Sequence, residues 1–268
     1  MALGRIPILL YHSLTSRASP AYRRFAVDPG AFRTQMDLLA EAGVRTATIG
    51  ELVALGSDVP PATVAITFDD GFAELIDVAL PTLRERGFRA TAYLVSGYIG
   101  GTSQWLERDG EGDRPLISWA DARSLVSEGF EVGGHGDRHV ALDLLGSRDA
   151  FADIDASRRI LEDGLGRRVD TFAYPYGYHT NATKALVRQA GYSSACGVKH
   201  AFSHVADDRF AIARIIVGAE TSLDEFAAWL QGTGQLPDAW PGERLRTRVW
   251  RMARRAKALV DRGPVTAG

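Results

Sequence analysis

With 268 residues, a formal charge of −2 at pH 7 and one cysteine, the chain cannot hold a disulfide framework or a cysteine-rich zinc site. Its apolar share of 46% suffices for one large core or two small ones, and the charge balance gives no ground for a nucleic-acid partner. No run approaches the ~18 apolar residues that span a bilayer, and MALGRIPILLYHSL has too short an apolar run for a signal peptide, so a soluble, unexported, cytoplasmic protein is expected.

In chain order, IPILLY (6–11), TATI (46–49), TVAITF (63–68), RATAYLV (89–95), FEVGG (130–134), DTFAY (170–174), SSACGV (193–198) and FAIARIIV (210–217) are short, apolar and rich in β-branched or aromatic residues. They predict buried parallel strands. Between them lie helical patterns. In AFRTQMDLLAEAG the residues Phe32, Met36, Leu39 and Ala42 form one stripe, stopped by Gly43. Ser118 with Asp121, and Ser222 with Glu225, have the spacing of capping boxes. Seven or eight such units predict an α/β chain wound as a barrel of parallel strands, although alternation alone leaves a doubly wound sheet open. The polar, Gly-rich stretch 99–116 predicts a long loop at the mouth of a site. Cys196, inside an apolar stretch, reads as a core thiol.

Two strand ends carry the chemistry. In ITFDDGF, Asp69 and Asp70 follow a strand and precede Gly71. Neighbouring side chains on a strand point to opposite faces, so the pair converges only if the strand stops at Phe68 and the chain turns sharply. Two carboxylates so close resist joint ionisation unless a cation lies between them. In EVGGHGDRHVAL, His135 and His139 follow a second strand end. Gly136 stands where the zinc-protease pattern requires glutamate, so a returning loop, rather than a helix, is expected to gather the imidazoles. Asp70, His135 and His139 then compose a two-His, one-carboxylate site with open positions, as a hydrolytic metal requires.

TFDDG (67–71), HGDRH (135–139) and FAYPYG (172–177), in this order and spacing, resemble the polysaccharide deacetylases of carbohydrate esterase family four, over roughly residues 5 to 230. The resemblance implies a distorted (β/α) barrel and a metal-dependent hydrolase that removes acetyl groups from N-acetylated sugars. Carried onto this chain, it makes Asp70, His135 and His139 the ligands of a divalent metal, commonly Zn2+, and Asp69 the catalytic base. The backbone N–H of Tyr176 matches the oxyanion position. Most members draw their acid histidine from the C-terminal end, where this chain has no matching motif. The strand ending in Tyr11 and His12 instead resembles the rearranged poly-N-acetylglucosamine deacetylase branch, which makes His12 the acid. Ala173 stands where many members have an arginine against the catalytic aspartate. Arg214, inside an apolar strand, needs a carboxylate partner, and Asp69 is the expected one. His179, His200 and His204 read as surface residues, with His179 nearest to substrate. Two other functions compete: hydrolysis of a non-sugar amide on the same scaffold, and a noncatalytic carbohydrate-binding module.

The expected organisation is a catalytic barrel over 1–236 and a basic amphipathic helix and tail over 237–268. Residues 241–262 hold seven arginines and one lysine against two acids, a local charge of +6. Leu245, Val249, Met252, Ala256 and Leu259 form one stripe. This segment fits either peripheral contact with an anionic membrane or packing on the barrel wall.

Overall fold

The computed structural model describes residues 5–233 and residue 236; the expectations for 237–268 lie outside the described residues. The chain runs β1 (Arg5–Ile6), β2 (Ile8–Tyr11), α1 (Pro29–Glu41), β3 (Arg45–Ala47), α2 (Ile49–Leu55), β4 (Thr63–Phe68), α3 (Leu80–Arg84) and β5 (Thr91–Leu94). There follow α4 (Trp119–Ser127), β6 (Glu131–Gly134), α5 (Ser147–Leu165), β7 (Thr171–Ala173), α6 (Asn181–Gln189), β8 (Ser194–Cys196), β9 (Ser203–His204), β10 (Ile215–Ile216) and α7 (Leu223–Leu230).

The main sheet is parallel, in the order β10-β2-β4-β5-β6-β7-β8. β3 and β5 share one edge of β4, β3 pairing with Thr63–Ala65 and β5 with Thr67–Phe68. A parallel bridge between Cys196 and Ile212 brings the segment that leads into β10 against β8, so the sheet curls back on itself as a distorted barrel. The antiparallel pair β1–β9 lies outside this sheet.

Strand alternation decides what faces inward. Leu9 and Tyr11, Val64, Ile66 and Phe68, and Ala92 and Leu94 join the core beneath the helices, with Phe32, Met36 and Leu39 of α1. Ile8, Ala65, Tyr93, Ala173, Cys196 and Ile212 form a separate interior cluster. Tyr93 fills so much of this interior that its neighbour Gly133 must lack a side chain; a Cβ there would lie 2.6 Å from the ring. One position beyond the strands, the inward register falls on His12, Asp69 and His135. The C-terminal mouth of the barrel therefore receives the polar residues.

The local signals hold with small displacements. Asp28 caps α1 through Gly30 and Ala31, two residues earlier than the stripe predicts, and Ala42 lies past the helix, exposed. The Ser118–Asp121 capping box is present on α4, and Ser222 caps α7. Ile49 opens α2 instead of ending a strand, because Thr48 and Glu51 form a further capping box. Of 210–217, only Ile215–Ile216 joins the ladder; the segment turns from β8 to β2 at Ala213–Arg214. Stretch 99–116 contains a 3-10 turn at Gln104–Asp109 and is tied down by bridges Phe72–Leu116 and Thr102–Pro115.

Candidate active site

Asp69 continues the inward alternation of β4, and its backbone N–H donates to Tyr11 O at 3.0 Å. Asp70 should by alternation face the helices. It instead adopts φ 76°, followed by Gly71 at φ 82°, and this left-handed turn returns its carboxylate to the barrel mouth. His139 (φ 53°) and Tyr176 (φ 60°) are also left-handed. Each such non-glycine residue costs on the order of 1–3 kcal/mol, which surrounding contacts must offset. Of the five left-handed non-glycine residues among those described, these three lie where side chains from different strands must meet, and Ala62 and His200 lie elsewhere.

Asp70, His135 and His139 are all buried, and one ligand atom from each lies within 4.8 Å of the others. Asp70 Oδ1 stands 3.5 Å from His135 Nε2 and 3.2 Å from His139 Nε2, yet it has no hydrogen-bond donor among the described residues. His135 Nδ1 lies 2.8 Å from Ala173 O. A carbonyl only accepts, so Nδ1 carries the proton in the neutral ring and Nε2 turns its lone pair to Asp70. Burial raises the Asp70 pKa; when the His135 and His139 rings also carry a proton on Nε2, their donation to Asp70 outweighs burial and holds it well below the usual range. Burial lowers His135 and His139. For His135 the carboxylates of Asp69 and Asp70 prevail and raise it; for His139 burial prevails. Buried, lacking a donor and flanked by an imidazole lone pair, Asp70 Oδ1 is the kind of atom that a cation completes, and this donor set suits a borderline divalent ion.

Beside it, Asp69 is held by a fully buried guanidinium. Arg214 donates through Nη1 to Asp69 Oδ1 at 2.6 Å and through Nη2 to Oδ2 at 2.7 Å. Nη1 also reaches Thr67 Oγ1 at 3.3 Å, and Nε donates to Gly197 O at 3.1 Å. Burial raises the Asp69 pKa, but Arg214, with His135 and His12 adding to it, outweighs burial and lowers it, so Asp69 stays ionised. The arginine partner expected for Asp69 thus comes from the segment that leads into β10, where Ile212 and Arg214 share the inward register. Asp69 Oδ2 is 3.8 Å from His135 Nε2, which joins the two groups into one site.

His12 is half-buried against Phe25, its ring centroid 5.1 Å away, and its Nδ1 is buried without a hydrogen-bond partner among the described residues. Burial lowers its pKa against the opposing pull of Asp70 and Asp69. Tyr176, half exposed on the turn Pro175–Gly177, packs against His139 at 4.7 Å. All seven residues singled out in the sequence therefore lie at one end of the barrel. The expectation for His179 is corrected: it is half-buried, stacked on Tyr174 at 4.8 Å, with Nδ1 3.2 Å from Gly177 O. It braces the FAYPYG stretch (172–177) through Tyr174 and Gly177. His200 is exposed and accepts from Ile216 N, and His204 lies in β9.

Two neighbours escape sequence reasoning. Tyr22 donates to Asp70 Oδ2 at 3.3 Å, from a loop with no motif. Trp105 packs on His139 at 4.8 Å; a lone tryptophan in a polar loop is the only signal it gives. Arg114 clasps that loop to the segment after His12, donating to Ser13 Oγ at 2.5 Å and Glu111 Oε2 at 3.3 Å, pairing with Glu74, and covering Phe72 at 4.2 Å.

Comparison with known proteins agrees with this architecture. Residues 56–195, more than half of the chain, match the family described as polysaccharide deacetylase, and the chain belongs to that family. It is 23% identical over 231 residues to YxkH of Bacillus subtilis (strain 168), which carries the polysaccharide deacetylase name; the match covers 85% of this chain and 77% of that one. It is 21% identical over 185 residues to the poly-beta-1,6-N-acetyl-D-glucosamine N-deacetylase of Staphylococcus aureus (strain MRSA252), covering 65% of this chain and 61% of that one. Among solved structures, IcaB from Ammonifex degensii superposes with a TM-score of 0.72 at 25% identity, over 85% of this chain and 97% of that one.

Proposed function

We propose that the protein is a metal-dependent carbohydrate N-deacetylase that hydrolyses the acetamide of an N-acetylated sugar and releases acetate. The observation that carries this reading is the buried Asp70–His135–His139 group beside the Asp69–Arg214 pair. The relative named for poly-beta-1,6-N-acetyl-D-glucosamine supports N-acetylglucosamine units as the first substrate to try.

Asp70 and the two histidines would hold a divalent ion, Zn2+ first, which would supply Lewis acidity and acidify a water. Asp69, ionised and oriented by Arg214, accepts the proton of the water that attacks the acetyl carbon. Each of its oxygens keeps a lone pair beyond its Arg214 bond. The oxygen of the former carbonyl gains negative charge, and the backbone N–H of Tyr176 is the donor assigned to it. When the C–N bond breaks, the sugar nitrogen leaves as an amine and takes a proton from His12. Asp69, His12, Arg214 and Tyr176 thus divide proton removal, proton delivery, orientation and charge stabilisation.

The test measures bound metal and released acetate together. Parent protein is expected to hold about one divalent ion per chain and to release acetate from N-acetylglucosamine oligomers. His135→Ala is expected to lose both. Full metal occupancy in His135→Ala, or an active protein after complete metal removal, would overturn the reading.

A further inference from the structure

Three residues, Gly136, Asp137 and Arg138, separate His135 from His139, and the peptide groups of so short a turn cannot bond to one another in a regular element. Their partners are external. On one side the structure supplies the turn after β5: Ser96 N donates to Gly136 O at 3.2 Å, Gly97 N to Asp137 O at 3.0 Å, and Ser96 Oγ to Asp137 Oδ1 at 2.8 Å. On the other side stands one carboxylate. Asp153 Oδ2 accepts from Asp137 N at 3.0 Å; Oδ1 accepts from Arg138 N at 3.3 Å and Arg138 Nε at 2.9 Å.

We propose that Asp153 is a positioning residue for the metal centre: from α5 it holds the 136–138 turn in the one shape that brings His135 and His139 together on Asp70. This rests on the metal reading given under Proposed function. Asp153 touches neither substrate nor any of the three candidate ligands' side chains in the contacts above.

Its side chain is wholly buried on the face of α5 that also buries Ala150, Ile154, Ser157 and Leu161, where an apolar residue is the expectation. An acid persists there only if its charge is satisfied, and three donors from the turn satisfy it. The fit is close: a Cβ on Gly136, itself at φ 76°, would lie 2.9 Å from Asp153 Oδ2. The exposed Arg138 side chain contributes only one of the three bonds, so the hold is on the backbone. Both oxygens must accept. In Asp153→Asn one acceptor becomes an NH2 group, which faces either Asp137 N–H or the Arg138 donors, whichever way the amide turns. The left-handed strain at His139 is then no longer offset from this side.

The experiment measures zinc affinity of metal-free protein by competition with a chromophoric chelator, alongside melting of the metal-free state. Parent, His135→Ala, Asp153→Asn, Asp153→Ser, Arg138→Ala and Leu161→Ala are compared. Groups that orient metal ligands typically contribute 10–100-fold to affinity, and Asp153→Asn is expected to lose about that much. Asp153→Ser, which keeps one acceptor, gives a second variant should the first not fold. Arg138→Ala is expected to stay within about threefold, because the backbone bonds remain. Leu161→Ala, on the same helix but away from the turn, is expected to lower the melting temperature while leaving affinity within about twofold. Parent-like affinity in Asp153→Asn and Asp153→Ser would overturn the inference alone. So would equal loss in Leu161→Ala or in Arg138→Ala. A parent affinity unmoved by His135→Ala would overturn the metal reading, and this inference with it.

Discussion

Replacing Arg214 by methionine keeps an unbranched stem and removes the guanidinium with its charge. The guanidinium is wholly buried and makes two bonds to Asp69 and one each to Thr67 and Gly197. Deleting one partner of a buried ion pair strands the other, at a cost of about 3–5 kcal/mol. For a domain of this size each kcal/mol shifts the melting temperature by about 2–4 °C, so a fall of about 6–20 °C is expected. The assay is calorimetric melting of chelator-treated protein at pH 7, with acetate release measured separately. Adding Asp69→Asn to Arg214→Met removes the stranded charge, so the double variant is expected to melt above the single one, with a coupling of about 1–3 kcal/mol. The pH dependence has a definite sign. Asp69 is ionised in the native state below its ordinary range, so the pair's contribution is present above that range and lost as pH falls through the native value. The gap between parent and Arg214→Met therefore narrows below about pH 4. A variant melting within about 2 °C of the parent at pH 7, or a double variant showing the full sum of two losses, would refute the reasoning.

Four further outcomes are expected. Asp69→Asn keeps its metal but loses on the order of 10²–10⁴-fold in turnover; activity within a few-fold of the parent gives Asp69 another job. His12→Ala is similarly impaired on amides and less so on activated esters, whose leaving groups need no proton; equal defects on both remove its acid role. His179 is half-buried, and desolvation pushes its pKa down to about 4, so the native state resists a proton that the unfolded chain takes below about pH 6.5, a loss of at most about 3 kcal/mol on acidification. His179→Phe is thus expected to melt below the parent at pH 7 and to close that gap by about pH 4.5, and a constant gap counts against it. Finally, we propose that the basic stretch 241–262 gives peripheral contact with an anionic membrane surface, on the strength of its charge of +6 and its apolar stripe. Sedimentation with anionic but not neutral vesicles, lost on removing 241–268, is the expected result; equal recovery from both refutes it.

What the sequence determined by itself is what depends on neighbours along the chain. The run Thr63–Phe68 is readable as a buried strand because every residue in it is apolar or β-branched, and Ser118 with Asp121 mark a helix start because a cap is a local bond. The pairing of Asp69 with Asp70 before a glycine, and of His135 with His139 across three residues, likewise carried the chemistry in short range. The assignment of Arg214 was also available, since a cation among Ala211, Ile212, Ala213, Ile215 and Ile216 demands a buried acid. Only the tertiary structure decided the rest. Ile49 entered a helix because its preceding Thr48 and following Glu51 cap one another, a signal that the β-branched run TATI concealed. Asp153, one acid among several in a charged helix, has no local mark; its face and its three donors come from a turn fifteen residues away in sequence and beside it in space. Tyr22 and Trp105 meet Asp70 and His139 because closing the barrel brings the loops after β2 and β5 to the same mouth. Closure around a shared axis is a property of all the strands together, so no single stretch of sequence records which side chains it gathers.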